Sequence, residues 1–321
     1  MAKRILVTGG AGYVGSIVVD DLLMRGYRVR AFDALVHGSV PSLLLAWGHP
    51  EFEFIHGDVR DGDACRAALR DVDAAVHLAA IVGDPACSRQ PELAREVNLD
   101  SSLRLLDDSA SAGVERFVFA STCSNYGRID GDAYATEDFA LAPISLYAET
   151  KVAAESAVLA RDGLVACCLR LATVYGSSSR MRFDLTVNEF TREVTLEREL
   201  LVYGEQFWRP YVHVRDAGQA IALALEAPVE QVDGQVFNVG HTAENYRKLD
   251  IVGLLRERFP QALVRFVPKD EDPRDYRVSF EKVKDELGFR PARTVPTGID
   301  EVIALLRSGL LGDPYAPKYT N

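Results

Sequence analysis

Arg4-Ile-Leu-Val-Thr-Gly-Gly-Ala-Gly-Tyr-Val-Gly15 is an apolar run that breaks into closely spaced glycines. The run at 3–8 predicts a short strand, and 12–26 predicts a helix that closes at Gly26. Residues 28–33 then predict a second strand. Thr8-Gly9-Gly10-Ala11-Gly12-Tyr13-Val14-Gly15 fits G-x-G-x-x-G through Gly10, Gly12 and Gly15, and G-x-x-G-x-x-G through Gly9, Gly12 and Gly15. Glycines at this junction permit a tight turn, close approach of a pyrophosphate and close packing of helix on strand. The helix that follows offers unpaired N–H groups and the positive end of its dipole to phosphate. Asp33, eighteen residues beyond Gly15, ends the second strand. A carboxylate there accepts both hydroxyls of the adenine ribose and repels a 2′-phosphate, which selects NAD over NADP. Arg30 nearby is the residue that could reverse that preference.

Further strands are predicted at 52–57, 73–78, 115–120 and 164–170, with helical segments between most of them. Short apolar strands alternating with helices make a parallel sheet covered on both faces. The predicted fold class is α/β, a Rossmann-type doubly wound parallel sheet with a smaller C-terminal α/β substrate domain. Residues 1–176 form the expected NAD-binding domain, with 210–241 returning to it through a strand at Gln235–Gly240. Residues 177–209 and 242–321 form the expected substrate-binding domain, helices and loops predominating beyond 243.

The chain of 321 residues is 48% hydrophobic and 26% charged, ordinary values for a globular protein. A net charge of −11 argues against a nucleic-acid partner, which would call for a basic footprint. An anionic substrate remains compatible, because a few local arginines outweigh a distant acidic surface. The sequence has no apolar run long enough to span a membrane, and its N-terminal apolar stretch is too short for a signal peptide. A cytoplasmic setting follows as the expectation. Cys65, Cys87, Cys123, Cys167 and Cys168 show neither a paired framework nor zinc spacing, so no metal is expected.

Of 12 tyrosines, only Tyr147 has a lysine four residues on, Lys151. On a helix that spacing puts both side chains on one face. A phenol with a pKa of about 10 is a poor base at neutrality. A neighbouring ammonium and an oxidised nicotinamide both favour the phenolate, which can then take a proton from a sugar hydroxyl. Thr122 ends the strand Arg116-Phe-Val-Phe-Ala120, where strand termini face the ligand crevice. Its hydroxyl could hold the reacting oxygen near Tyr147; Ser121 and Ser124 are its rivals.

Taken together the chain resembles the extended short-chain dehydrogenase/reductase family, in its NAD-dependent epimerase/dehydratase branch. The resemblance runs from residue 3 to about 308. It adds Gly57-Asp58-Val59, His77-Leu-Ala-Ala80, Asn98, Tyr126-Gly127, Arg170 with Val174-Tyr-Gly176, Arg209 with Val212-His-Val214, and Asn238-Val-Gly240 to the motifs above. It implies that Gly9, Gly12, Tyr13, Val14, Gly15, Asp33, Asp58, Val59, Leu78, Ala79, Ala80, Asn98, Tyr147 and Lys151 meet NAD. It also implies that Thr122, Ser124, Asn188, Arg209 and Arg274 hold a nucleoside-diphosphate sugar, and that the protein is a homodimer. The planar forks of the arginines suit phosphate oxygens. The stretches 170–176, 180–185, 187–188 and 274–276 are similar to a subgroup that includes GDP-heptose 4-dehydrogenases.

The sequence departs from the resemblance at three places. Cys123-Ser124 follow Thr122 where 4,6-dehydratases of the branch carry Asp-Glu, which disfavours dehydration. Thr173 replaces the usual asparagine before Val-Tyr-Gly, and Pro210 replaces the usual aspartate after Arg209. The expected activity is hydride transfer at C4 of a nucleotide-linked sugar, as an epimerase or as a net dehydrogenase or ketoreductase. A non-catalytic nucleotide sensor and a reductase of a non-nucleotide carbonyl are the alternatives.

Overall fold

The computed structural model describes residues 2–129, 131–268 and 274–321. The N-terminal half alternates β1 (Arg4–Thr8), α1 (Tyr13–Met24), β2 (Arg28–Asp33), β3 (Phe52–His56), α2 (Gly62–Ala68) and β4 (Ala74–His77). Short helices α3 (Asp84–Arg89) and α4 (Pro91–Arg95) lead through one π-helical turn into α5 (Ser101–Ser111). Then come β5 (Arg116–Thr122), β6 (Tyr134–Ala135), α6 (Leu146–Leu159), β7 (Val165–Leu171) and β8 (Thr173–Tyr175). Beyond these lie α7 (Thr186–Thr195), β9 (Leu200–Tyr203), β10 (Trp208–His213), α8 (Val214–Glu226), α9 (Val229–Val232) and β11 (Gln235–Val239). The chain closes with β12 (Asn245–Arg247), α10 (Lys248–Arg258), β13 (Val264–Val267), β14 (Arg277–Val278), α11 (Glu281–Leu287) and α12 (Val295–Arg307).

The main sheet has seven strands in the order β11-β7-β5-β4-β1-β2-β3, all paired in parallel. Its strands are buried on both sides, as in Leu6, Val7, Phe117 and Phe119, all at 0–1% exposure. Helices covering both faces explain the unbroken apolar runs that predicted these strands. One face packs against α1 and α8, and the other carries Leu105, Leu106, Ala154 and Val158 of α5 and α6. The chain doubles back between β1 and β4, so the carboxyl ends of those strands open a crevice, the ligand position of doubly wound sheets. The predicted class of fold is therefore the observed one.

A second core, with Val187, Phe190, Val202, Tyr211, Ile251 and Ile299, sits under α7, α10 and α12. Its strands depart from expectation. β10 begins at Trp208 and pairs with β8 and β12 in a separate sheet, so β8 leaves the main sheet although it precedes residue 176. β13 pairs with β9 and β14 with β6, adding strands to a region predicted to be mainly helix and loop. Apart from β10 these strands have two to four residues and distant partners, so local periodicity carries almost no trace of them.

Candidate active site

The glycine turn is built as a cradle. Gly9 has φ +70°, and a Cβ there would lie 2.8 Å from the Ala79 nitrogen. A Cβ on Gly15 would fall 2.0 Å from the Gly9 carbonyl oxygen, so the helix could not sit this close to the turn. α1 begins after Gly12 with no side chain capping it and no acidic residue in its first turn. By contrast Asp61 caps α2 through Asp63 and Ala64. The first N–H groups of α1 thus face the crevice with the helix dipole behind them, the arrangement an anion needs.

Asp33 hangs over this turn from the end of β2. Its carboxylate accepts N–H groups of Ala11 at 3.0 Å and Leu35 at 2.8 Å, while burial raises its pKa. Arg30 points elsewhere: it donates to Glu53 and to the carbonyls of Ala68 and Arg70, so it does not bear on the ribose. Leu78, Ala79 and Ala80 line the turn after β4. Thr8 Oγ1 accepts the Ala79 N–H at 3.3 Å, and buried Asn98 clamps Ile81 through both its N–H and its carbonyl. Asn98 sits in the π-helical turn, a deformation that here lets one amide side chain hold the loop. Asp58 forks onto Arg60 at the rim, and Val59 is buried beneath it.

Two side chains expected at the ligands also bond within the protein. The Tyr13 hydroxyl donates to the Gly176 carbonyl at 2.6 Å and accepts from Asn188 at 3.1 Å, so its side chain braces the second lobe. Asn188 has no solvent exposure; it accepts the Gly176 N–H and donates to the Arg182 carbonyl. Its side-chain amide bonds inside the protein, between Gly176 and Arg182.

α6 starts after Ser145, whose hydroxyl accepts the Ala148 N–H. Tyr147 and Lys151 therefore occupy successive turns on one face. The Tyr147 phenol shares a hydrogen bond with Thr122 at the end of β5, and burial pushes its pKa above the ordinary value. Lys151 is 3% exposed, donates to the Ala120 carbonyl at 2.8 Å and lies 4.6 Å from the Phe119 ring centre. Desolvation lowers its pKa to about 8. Residues up to 29 apart in sequence are thus gathered at the end of β5: Tyr147 bonds Thr122, and Lys151 bonds the Ala120 carbonyl. All five cysteines are buried free thiols. Burial raises the Cys87 thiol to about 11 and lifts Cys123 well above its ordinary value.

Beneath this centre lies a network that sequence spacing alone did not show. Glu155 continues the Tyr147–Lys151 face by one more turn, is 2% exposed, and pairs with Arg170 of β7 at 2.5 Å. Ser121, beside Thr122, donates to the same carboxylate at 2.5 Å. Arg170 also donates to Tyr126, which donates to Asn238 of β11. The second lobe closes the crevice from the other side. Arg209 donates to the Arg274 carbonyl and lies over the Tyr276 ring; the Tyr276 hydroxyl is 3.4 Å from Ser124 Oγ.

A glycine turn at a helix start, a strand-end carboxylate above it and a Tyr-Lys pair beside a strand-end hydroxyl place the chain in the extended short-chain dehydrogenase/reductase class. More narrowly, the chain belongs to the NAD-dependent epimerase/dehydratase family, whose model matches residues 5–240. NAD is the cofactor of that family, and the cradle and Asp33 fit it. A 3β-hydroxysteroid dehydrogenase/Δ5→4-isomerase of Mycobacterium tuberculosis is 39% identical over 248 residues, 73% of this chain and 64% of the relative. The chain thus spans less than two thirds of the aligned relative's length. The solved dTDP-glucose 4,6-dehydratase of Streptomyces venezuelae, with NAD bound, has TM-score 0.88 and 29% identity, covering 98% of this chain and 99% of that one. The UDP-glucuronic acid 4-epimerase of Bacillus cereus, in complex with UDP-glucuronic acid and NAD, has TM-score 0.85 and 25% identity, covering 95% and 99%. Among the described residues, no helix is long and apolar enough to cross a membrane.

Proposed function

We propose that this protein oxidises C4 of a nucleoside-diphosphate sugar, with Tyr147 as the base and Thr122 orienting the hydroxyl. The observation that supports this reading is the Tyr147–Thr122 hydrogen bond at the end of β5, with buried Lys151 bonded to Ala120 of the same strand. NAD supplies the hydride acceptor when bound. Tyr147 takes the hydroxyl proton, and Lys151 favours the phenolate by its charge. Thr122 fixes the donor geometry, which limits the motion needed before reaction. Gly9, Gly12 and Gly15 hold the pyrophosphate, and Asp33 holds the adenine ribose. The two arginines match a diphosphate in charge and shape.

Epimerisation is the favoured outcome over dehydration. Loss of water from the sugar calls for acid and base groups next to Thr122. Cys123 instead donates to the Arg170 carbonyl at 3.1 Å, its pKa well above neutral, and Ser124 carries no acid. A net dehydrogenase or ketoreductase uses the same residues. Identity to a steroid dehydrogenase supports a second substrate class, a fused-ring alcohol without phosphate.

The test incubates NAD-loaded protein separately with UDP-glucose, dTDP-glucose and a 3β-hydroxysteroid. Products are followed by mass spectrometry and NMR, and cofactor reduction by absorbance. Interconversion of sugar epimers without lasting cofactor reduction supports epimerisation, and accumulation of a keto sugar supports net oxidation. Turnover of the steroid alone contradicts the nucleotide-sugar reading. Light scattering of the purified protein tests the homodimer proposed with it; a monomeric mass would contradict that state.

A further inference from the structure

Between β4 and α4 the chain runs Ile81-Val-Gly-Asp-Pro-Ala-Cys87. Gly83 takes φ +96°, which turns the backbone and sets Asp84 at the first position of α3. Cys87, one turn on, is fixed to the Ile81 carbonyl and to Asn98, so α3 is tied to the loop that borders the cradle. Asp84 therefore stands on a held element.

Its carboxylate crosses the crevice. Asp84 Oδ2 pairs at 2.8 Å with Nη1 of Arg274, whose own carbonyl accepts from Arg209. Asp84 Oδ1 is buried and has no hydrogen-bond partner among the described residues. A buried carboxylate oxygen without a donor is costly and marks a place where a ligand can supply one. α3 packs against α6, the helix that carries Tyr147, so Asp84 stands on the Tyr147 side of the crevice. Asp84 thus joins the phosphate-side arginine to the sugar side.

We propose that Asp84 is a specificity-determining residue, whose carboxylate takes sugar hydroxyls on its unpartnered oxygen once a ligand enters the crevice and excludes sugars that carry a carboxylate. This rests on the nucleotide-sugar reading above. It bears on a choice the fold leaves open, since structurally similar enzymes act on a neutral sugar nucleotide in one case and a uronate in another. Hydroxyls donate to Asp84 at no electrostatic cost. A sugar carboxylate brought into the same partly buried space meets a like charge, and like-charge juxtaposition in an interface is strongly unfavourable.

The test is calorimetric titration of NAD-loaded protein with UDP, UDP-glucose and UDP-glucuronic acid, comparing wild type with Asp84→Asn and Asp84→Ser. Asn is nearly isosteric, and Ser suits the start of a helix, so two independent variants keep the fold; copurified NAD content checks it. The expected wild type binds UDP-glucose at least about tenfold more tightly than UDP-glucuronic acid. Both variants should reduce that ratio to within about threefold, through weaker UDP-glucose binding and stronger uronate binding, and should bind UDP no less tightly than wild type. An unchanged ratio in the variants, or a wild type without preference, overturns the role of Asp84 alone. A wild type that binds none of the three ligands overturns the nucleotide-sugar reading, and this proposal with it.

Discussion

Asp33 and Lys151 each turn one local feature into a measurable consequence. Asp33 accepts from Ala11 and Leu35 at the end of β2, where the ribose is proposed to bind, and Arg30 is turned away. Titration of the cofactor-free protein should show NAD binding at least about tenfold tighter than NADP, because a 2′-phosphate would meet this carboxylate. Equal affinities would contradict the assignment. Lys151 has a folded pKa of about 8, below the 10.5 of an ordinary lysine. Between those values the unfolded chain binds a proton that the folded chain does not. Stability therefore rises with pH across that window on account of this group, whereas below about pH 8 both states carry the proton. In Lys151→Met this contribution is absent, so melting temperatures from pH 8 to 10.5 should rise less, or fall more, than in wild type. Parallel curves would show that Lys151 titrates normally. These residues were legible in the sequence because each depends on a short motif: a strand end for Asp33, a four-residue spacing for the lysine. Asp84 was not, since its importance comes from Arg274, 190 residues away in the chain.

At the scale of elements, α6 must be held against β5 for Tyr147 to meet Thr122. The Glu155 carboxylate provides that hold, linking α6 to β7 through Arg170 and to β5 through Ser121. Breaking a buried pair by removing one partner typically costs 3–5 kcal/mol, because the other charge is left without compensation. Glu155→Ala should lower unfolding free energy by about that amount, measured by urea denaturation. A change below about 1 kcal/mol would mean that the pair does not brace the helix. The main-sheet strands were read to within two residues, since burial on both faces leaves long apolar runs. β12, β13 and β14 were missed for the opposite reason, being short and paired only through the tertiary fold. Tyr13 and Asn188, both part of the resemblance, also bond to each other across the lobes, a link between distant segments that no motif spacing encodes.

For the whole molecule, two lobes divide the work. The parallel sheet carries the glycine turn and α6, and the second lobe contributes Arg209 and Arg274, the latter paired with Asp84 of the first. The division predicts separable losses. Arg209→Ala and Arg274→Ala should each weaken binding of the sugar nucleotide by about 1.5–3 kcal/mol, the range for hydrogen bonds to charged groups, while NAD affinity stays near wild type. Calorimetry with each ligand checks this, and a variant with unchanged sugar-nucleotide affinity would remove that arginine from the phosphate site.

The central claim is that the phenol of Tyr147 removes the hydroxyl proton. Tyr147→Phe keeps the ring and deletes only the oxygen, so the fold and NAD affinity should be retained. Its single-turnover rate of cofactor reduction, followed by absorbance with a sugar nucleotide that wild type oxidises, reports the chemical step apart from product release. General-base catalysis typically contributes 10²–10⁴-fold, and the rate should fall by about that factor or more. A near-normal rate in Tyr147→Phe would contradict the account and require another base.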